Sequence, residues 1–374
     1  MNKQTRAITR LLAMVFMAAA VTRADLATVI MPGADLVLTL DFSKMRQAPI
    51  AKKFEELEAL KKELGQTDNM DKMTSFDDKL TQLTGLKEED FLTLTAAVEM
   101  DAVDLDSGEK PNFVEMDAVL GVRLAKVLTD DQLEKGLKAF AEQMAEEEDL
   151  EAVPVVSRTQ HNGVTVFKTQ KAGETDALFF AITDSGKALF MGSEMGITGA
   201  LSRQGKGEKT PTTGLFPPSI AAAVKNADFA LMFQPTAAMR AKMKETAANP
   251  ESGPNAMFEQ VFSQMKGLGL AITSTDVMNV QLIGDFGDKA VAEQTRGLLD
   301  TQVISMVKMF ASMAAGGKPV PLLQTLAAGA AENGTATVTL TITGEDIDVF
   351  KEIMKEQAEW RNDTPVDGEF VPVE

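Results

Sequence analysis

The pattern of hydrophobic and polar positions predicts a strand followed by a helix near the start of the chain. Residues 34–41 are rich in Leu and Val and favour a short strand, and Pro49 fits the first position of a helix. Apolar residues then recur at the spacing of one helix face, at Ile50, Phe54, Leu57 and Leu64. A similar strand returns at residues 227–233, followed by Pro235 and a helical run. This repetition of a strand followed by a helix predicts that the chain has two related halves.

Other segments have patterns that are typical of antiparallel sheets. Residues 155–160 and 164–169 flank Asn162-Gly163, a dipeptide that closes tight hairpins because both residues tolerate positive φ. Residues 337–342 alternate threonine with Val, Leu and Ile, so one face of this strand is polar. A strand with one wet face belongs to an antiparallel sheet. The sequence therefore predicts an α+β fold with two related domains, each a mainly antiparallel sheet with helices packed on it.

Two longer helices are predicted from their start signals and apolar faces. Thr129 and Gln132 have the spacing of a capping box, in which each side chain bonds the other residue's free backbone N–H. Residues 289–313 favour one long helix. Its last turns carry an apolar stripe at Met306, Met309, Phe310 and Met313. We expect this stripe to pack in the core, because methionine fills irregular gaps.

The length of 374 residues gives room for about two domains. Glycines, prolines and threonines gather at residues 205–218, as in a linker or a long surface loop. The predicted organisation has five parts: a signal peptide at 1–24, an α+β domain at 25–204, a linker at 205–218, a second α+β domain at 219–360 and a flexible acidic tail at 361–374.

The N-terminal segment has the pattern of a secretory signal peptide. Lys3, Arg6 and Arg10 precede an apolar run at residues 11–21, and small residues that suit a cleavage site lie in and after the run. The run is too short to span a bilayer comfortably, which makes an uncleaved anchor the less favoured alternative. We therefore expect a secreted or periplasmic bacterial protein that has no stable membrane insertion after signal cleavage.

Charge and cysteine content exclude several classes of function. The chain has 37 basic and 55 acidic residues, and removal of the four basic residues in the leader leaves 33 and a net charge of −22. A chain this acidic repels nucleic acid and anionic lipid surfaces. The absence of cysteine excludes disulfides, thiolate metal sites and cysteine nucleophiles.

Few residues are candidates for catalysis. His161 is the only histidine, and its place at a predicted hairpin tip favours a role in the turn over that of a general base. Ser263 and Lys266 have the S-x-x-K spacing in which lysine activates serine, but the S-D-N and K-T-G elements that accompany this motif are missing. Asp41 follows the first predicted strand and is the first acidic residue to test if activity is found.

Two segments match ligand-binding loops only in part. A calcium loop is suggested by Asp104, Asp106, Gly108 and Glu115. Its glycine comes one position too early and its flanks favour strands, so a plain loop is the preferred interpretation and a weak calcium site the alternative. Residues 199–206 fail as a phosphate loop, because the glycines are one residue too far apart and Gly207 replaces the required Ser or Thr.

Methionine is abundant, with 22 residues. Met70 and Met73 have the same M-x-x-M spacing as Met306 and Met309, a pattern through which exported proteins can bind Cu(I). Core packing is the preferred interpretation, and a pliable surface for apolar ligands or peptides is a third. Trp360, at the end of the last predicted helix, is expected to pack against the domain.

These observations favour a non-catalytic role. No catalytic, cofactor-binding or metal-binding residue is assigned. The leading hypothesis is an exported binding protein or envelope-associated interaction protein, whose partner is an unknown protein or a small apolar ligand. One alternative is a carrier of an apolar ligand or lipid, held between helices and sheets. The other is a hydrolase that uses carboxylate or Ser/Lys chemistry.

Overall fold

The protein is built on one open, twelve-stranded antiparallel sheet. A computed structural model describes residues 26–64, 81, 84–100, 117–148, 152–171, 173, 177–209, 214–248, 260–314, 320–331 and 333–363. We refer to the described residues up to 209 as the first half and to those from 214 onward as the second half.

The twelve strands are numbered in the order in which they occur along the chain. They are β1 Leu36–Asp41, β2 Phe91–Glu99, β3 Asp117–Leu124, β4 Val155–His161, β5 Val164–Gln170, β6 Ala177–Thr183, β7 Ala188–Gly192, β8 Phe229–Phe233, β9 Gly267–Ser274, β10 Met278–Asp285, β11 Ala327–Ala331 and β12 Thr335–Ile342. Their order across the sheet is β11-β12-β10-β9-β8-β1-β2-β3-β7-β6-β5-β4.

Ten α-helices are present in the described part of the chain. They are α1 Phe42–Gln47, α2 Pro49–Glu63, α3 Asp130–Glu148, α4 Glu194–Lys206, α5 Pro218–Val224, α6 Ala237–Ala248, α7 Lys289–Leu298, α8 Ser305–Ala314, α9 Leu322–Thr325 and α10 Gly344–Asp363. A π-helical segment, Leu299–Ile304, joins α7 to α8, so the predicted long helix at residues 289–313 is confirmed with a π-helical interruption.

The two halves meet through β1 and β8, which pair at the centre of the sheet. Leu38 pairs with Leu231, and the pairs Leu36–Phe233 and Leu40–Phe229 flank it symmetrically. From this centre outward, the strand order is β1, β2, β3, β7, β6 on one side and β8, β9, β10, β12, β11 on the other. The first half adds the hairpin β5–β4 at its outer edge.

Matching hydrogen bonds enclose the central pair of strands. The carboxylate of Asp35 accepts from Met100 N at 2.8 Å, and that of Asp228 accepts from Ser274 N at 2.6 Å. The backbone carbonyl of Asp35 accepts from Gln234 N at 2.7 Å, and that of Asp228 accepts from Asp41 N at 2.6 Å. The start of each central strand is therefore anchored by the same kind of bonds.

One face of the sheet, face 1, carries the larger core. Val37, Ala97 and Ala230 lie at its centre, under the segment that begins at Leu26 and under α4 and α5. Towards β12 this face becomes polar, and Asn279 and Thr339 are exposed there. The predicted threonine face of residues 337–342 is thus confirmed as the wet side of an antiparallel strand.

The opposite face, face 2, has a second core in the first half. Leu40, Leu94 and Leu120 lie under α3, which contributes Leu133 and Leu137. In the second half, α7 covers this face beside Met265 and Phe286. Helix α10 packs against α2 through Ile347, which is 1% exposed and lies beside Ile50.

Two local predictions are confirmed in detail. Thr129 N donates to Gln132 Oε1 at 3.0 Å and Gln132 N donates to Thr129 Oγ1 at 3.3 Å, which is the capping box at the start of α3. At the β4–β5 turn, Asn162 and Gly163 have φ values of 52° and 79°, as a type I′ hairpin requires.

The predicted class of mixed helix and antiparallel sheet is confirmed. The finer prediction of two related domains is not confirmed, because both halves contribute strands to one sheet. In the predicted linker, α4 continues to Lys206, Phe216 is 3% exposed in the core of face 1, and Pro218 begins α5. Helix α10 continues to Asp363, three residues beyond the predicted domain end at 360.

Candidate functional site

The second half contains an apolar cavity of about 210 Å³ on face 2. Strands β9, β10 and β12 form its floor through Leu268, Leu282, Gly284, Ala336 and Val338. Helix α7 and the first residue of the π-helical segment form its roof through Thr295, Leu298 and Leu299. The side walls are Val261, Phe262, Met265 and Phe286. Phe262 is 39% exposed, so this wall reaches the surface.

Small residues on the floor explain why the cavity exists. In the first half, Leu94, Val122 and Leu189 form one row across β2, β3 and β7. The row at the same place in the second half is Leu268, Gly284 and Ala336 across β9, β10 and β12. Glycine and alanine thus stand where the first half has branched side chains. The ring of Phe286 takes up part of this space, since it would lie 3.2 Å from a Cβ at Gly284, and the cavity is the part that stays unfilled.

The neighbouring row shows the same difference. Across β3, β7 and β6 of the first half it contains Leu120, Met191 and Phe180. Across β10, β12 and β11 of the second half it contains Leu282, Val338 and Ala328. Because face 2 loses side-chain volume at two successive rows, the cavity is a built-in property of the β9–β12 region.

The cavity has almost no polar chemistry. Thr295 is the one polar side chain among the described lining residues, and its hydroxyl donates to Val291 O at 2.8 Å. Water in a cavity needs two to four polar partners, which this lining does not offer. The site can therefore receive a hydrocarbon group and has no acid, base or nucleophile in its described lining.

The π-helical segment lies next to the roof. Its first residue, Leu299, lines the cavity, and the hydroxyl of Ser305 donates to Asp300 O at 2.9 Å, five residues earlier. Single turns of this kind occur often at functional sites. The irregular turn thus separates the roof helix α7 from α8.

Helix α8 corrects one sequence prediction. The stripe expected in the core is exposed: Met306 by 51%, Met309 by 53%, Phe310 by 57% and Met313 by 68%. Helical periodicity identified the stripe, but it does not reveal whether another element covers it. No structural observation here assigns a metal to these residues.

His161 lies at the end of β4, beside the confirmed hairpin turn. Its Nε2 is 3.2 Å from Ser202 Oγ, and Asn162 Nδ2 donates to the same hydroxyl at 3.4 Å. These contacts tie the hairpin tip to α4. The interpretation of His161 as a turn residue stays a prediction.

Ser263 and Lys266 do not share a helix turn, because the helical residues 260–263 end before Lys266. Ser263 Oγ donates to Gln260 O at 2.7 Å, and Lys266 N donates to Asp285 O at 2.7 Å as β9 begins. Asp41 ends β1 and its carboxylate accepts from Lys44 N at 3.2 Å, as an N-cap of α1. Residues 199–206 lie inside α4.

Several candidates fall outside the described residues. These are the calcium-loop positions Asp104, Asp106, Gly108 and Glu115, the pair Met70 and Met73, and the predicted signal peptide. The side chain of Trp360 is also outside the described part. Within the part of the chain that the structure does describe, no group of three or more His, Asp or Glu side chains is placed to hold a metal ion.

Charged side chains with shifted pKa values cluster away from the cavity. Between α2 and α10, a hydrogen bond and the charge of Lys351 lower the pKa of Glu56 below its ordinary value of 4.5. A hydrogen bond from Lys53 lowers the pKa of Asp348, and the bond to Glu56 raises the pKa of Lys351. These groups form a surface clasp between two helices.

Sequence reasoning missed the floor residues Gly284 and Ala336. A signal was available, because β10 and β12 alternate cleanly and place these small residues on the apolar face.

Among the described residues, no helix is long and apolar enough to cross a membrane. Comparison with protein-family models, curated proteins and solved structures finds no match.

Proposed function

We propose that this protein is a non-catalytic binding protein whose ligand places a hydrocarbon group in the cavity on face 2. The observation that carries the proposal is the lining, in which the one polar side chain already has an internal hydrogen-bond partner. A ligand that enters such a site gains from leaving water and loses little by giving up polar contacts.

The size of the cavity limits the ligand group. An apolar protein cavity of about 150 Å³ stays dry and binds benzene. A volume of about 210 Å³ suits a group somewhat larger than benzene, such as a short aliphatic segment. A longer ligand has to leave its remaining part outside, where Phe262 reaches the surface.

The substitution Ala336→Leu tests this proposal. It places at β12 the side chain that the first half has at Leu189, and we expect it to fill the cavity. Binding of the apolar fluorescent probe N-phenyl-1-naphthylamine should weaken by about tenfold, equivalent to 1.4 kcal/mol. The free energy of unfolding should rise by about 1 kcal/mol, because filling a cavity restores packing contacts.

Ala327→Leu is the matched control, since Ala327 is exposed on face 1 of the adjacent strand. It should leave probe binding unchanged. Native mass spectrometry of the protein purified from its host should also detect an apolar ligand. Probe binding by the wild type that is insensitive to Ala336→Leu would contradict the proposal, and so would the absence of any probe binding.

The proposal of an internal duplication has separate support. Residues 34–36 and residues 227–229 both read Ala-Asp followed by an apolar residue. The aspartate of each segment accepts a hydrogen bond from a backbone N–H at the end of the neighbouring strand. We infer that the second half is a shortened copy without the β4–β5 hairpin. Aligned homologues should show matching residues at these positions, and unrelated residues there would contradict the duplication.

The proposal of export rests on the leader at residues 1–24. A positively charged start followed by a short apolar run is the pattern of a secretory signal. The intact mass of the protein from its host should correspond to a chain that begins near residue 25. An intact mass that includes Met1 would contradict cleavage.

A further inference from the structure

Helix α8 carries a row of exposed methionines. Met306, Met309 and Met313 are 51%, 53% and 68% exposed, and their spacing of three and four residues places them on one face of the helix. In the part of the chain that the structure describes, the other methionine with such exposure is Met195 on α4, at 66%. Three of these four exposed thioethers therefore lie within eight residues of one helix.

The fold does not depend on these three side chains. No residue of α8 whose burial is described is buried, and the nearest buried side chain before the helix is that of Ile304, at 2% exposure. Leucine has nearly the same helix propensity as methionine, so helix formation does not explain why sulfur stands at these positions. A chemical change at the sulfur atoms would therefore take place at the surface and leave the cores intact.

The chemistry open to an exposed thioether is oxidation. Peroxides convert methionine to methionine sulfoxide, which turns a flexible apolar side chain into a polar one and disrupts a core that contains it. The chain has no cysteine, so its thioethers are its only oxidisable sulfur atoms. Met31, Met232 and Met265 are 6%, 2% and 2% exposed and lie in the cores, where a sulfoxide would be costly. The row on α8 has no such cost.

We propose that Met306, Met309 and Met313 form a reversible oxidation site that consumes hydrogen peroxide. At each sulfur, an electron pair attacks one peroxide oxygen, the O–O bond breaks, and the products are one sulfoxide and one water. The sulfur is oxidised and the peroxide is reduced. Methionine sulfoxide reductases reverse the step: two thiols become a disulfide and the oxygen leaves as water. The inference goes beyond the proposed ligand binding, because none of the three residues lines the cavity.

Peptide mapping after peroxide treatment of the full-length protein tests the site. Cleavage by trypsin after Lys308 separates Met306 from Met309 and Met313, and a different peptide contains Met31 as its one methionine. Because oxidation follows exposure, the three α8 methionines should react about tenfold faster than Met31, or more. In concentrated urea the rates should become equal, since unfolding exposes every sulfur.

A triple variant measures the capacity of the site. Replacement of Met306, Met309 and Met313 by leucine keeps the surface apolar and should lower the rapid uptake by three oxygen atoms for each chain. Met195→Leu is the matched control, since Met195 is as exposed but isolated on α4. It should lower the uptake by one and leave the oxidation of α8 unchanged. Circular dichroism of both variants should match that of the wild type.

Oxidation of the three residues should leave the circular dichroism spectrum, the urea midpoint and the binding of N-phenyl-1-naphthylamine unchanged. Methionine sulfoxide reductases A and B with dithiothreitol should then remove all three oxygens. Reaction of the α8 methionines as slow as that of Met31 would overturn the inference, because it would mean that the row is covered in solution. Unfolding after oxidation, or sulfoxides that the reductases cannot remove, would also overturn it. A wild type that binds no probe would refute the cavity proposal and leave this one standing.

Discussion

Asp228 shows how a single buried carboxylate can hold the central strands in place. It is 4% exposed, accepts from Ser274 N at 2.6 Å and pairs with Lys44 Nζ at 3.0 Å. Lys44 is itself partly exposed and keeps water contact, so the ion pair does not require complete desolvation of both charges. The aspartate thereby links the start of β8 to the end of β9 and to α1.

Removal of this carboxylate should be costly. Asp228→Ala leaves the backbone N–H of Ser274 without its acceptor, and we expect the free energy of unfolding to fall by about 2–4 kcal/mol. Asp228→Asn retains an acceptor and should cost less. Urea denaturation followed by circular dichroism measures both. The control Asp276→Ala, in the exposed β9–β10 turn, should change stability by no more than about 0.5 kcal/mol.

Asp35→Ala extends the same test to the first half. Its carboxylate accepts from Met100 N at 2.8 Å, so its loss should also destabilise the protein. An Asp228→Ala variant as stable as Asp276→Ala would show that the buried bonds do not contribute.

At the scale of single residues, sequence predicts some features well and others not at all. The capping box of Thr129 and Gln132 and the turn at Asn162-Gly163 are local, since their partners lie within a few residues, and both predictions are confirmed. The cavity is not local. Gly284 and Ala336 are ordinary small residues until the register places them side by side beneath α7.

At the scale of elements, the pairing of α2 with α10 combines an apolar contact with a charged clasp. Ile347 packs beside Ile50, and Lys53 Nζ lies 2.8 Å from Asp348 Oδ2. Lys351 pairs with both Glu56 and Asp348. Lys351 is 15% exposed, but its partners Glu56 and Asp348 are 56% and 49% exposed, so the net stabilisation from these ion pairs is small and sensitive to salt.

Because the clasp consists of ionisable groups, the stability of the α2–α10 contact should depend on pH. The pKa of Glu56 is lowered, so its ionised carboxylate stabilises the contact fully above pH 4.5. This stabilisation is lost as the pH falls through the pKa of Glu56 in the folded protein. The pKa of Lys351 is raised, so its charged ammonium group stabilises the contact fully below pH 10.5. This stabilisation is lost as the pH rises through the pKa of Lys351 in the folded protein. The contact is therefore most favourable between these limits.

Lys351→Met should move the pKa of Glu56 upward, towards 4.5, because it removes both the hydrogen bond and the nearby charge. NMR titration of the Glu56 side-chain carboxyl measures the shift directly. Lys355→Met, on the same helix, changes the net charge equally and should leave the Glu56 titration nearly unchanged. Equal shifts in the two variants would mean that the effect is general charge and not the clasp.

The elements also show where sequence patterns lose information. β11 is Ala-Ala-Gly-Ala-Ala, which has low strand propensity, and only its pairing with β12 makes it a strand. The stripe on α8 was predicted as a helical pattern, but its exposure depends on what packs nearby. Periodicity thus predicts the type of an element more readily than its neighbours.

At the scale of the whole molecule, the central β1–β8 pair joins two cores that the sequence predicted as separate. Long-range pairing has no local signal, because β1 and β8 are far apart in the chain and each resembles an ordinary strand. The core of face 1 includes Val37 and Ala97 of the first half together with Ala230, Ala271 and Ile283 of the second. Shared burial of this kind favours one cooperative unit.

Leu94→Ala tests whether the sheet unfolds as a unit. Leu94 is 2% exposed on β2, and its truncation should cost about 2–5 kcal/mol by leaving a cavity in the first half. If the central pair couples the halves, the slowest-exchanging amides of β9 and β10 lose the same free energy of protection as those of β2 and β3. Hydrogen exchange with mass spectrometry resolves both pairs of strands. Protection lost only in β2 and β3 would show that the halves open independently despite their common sheet.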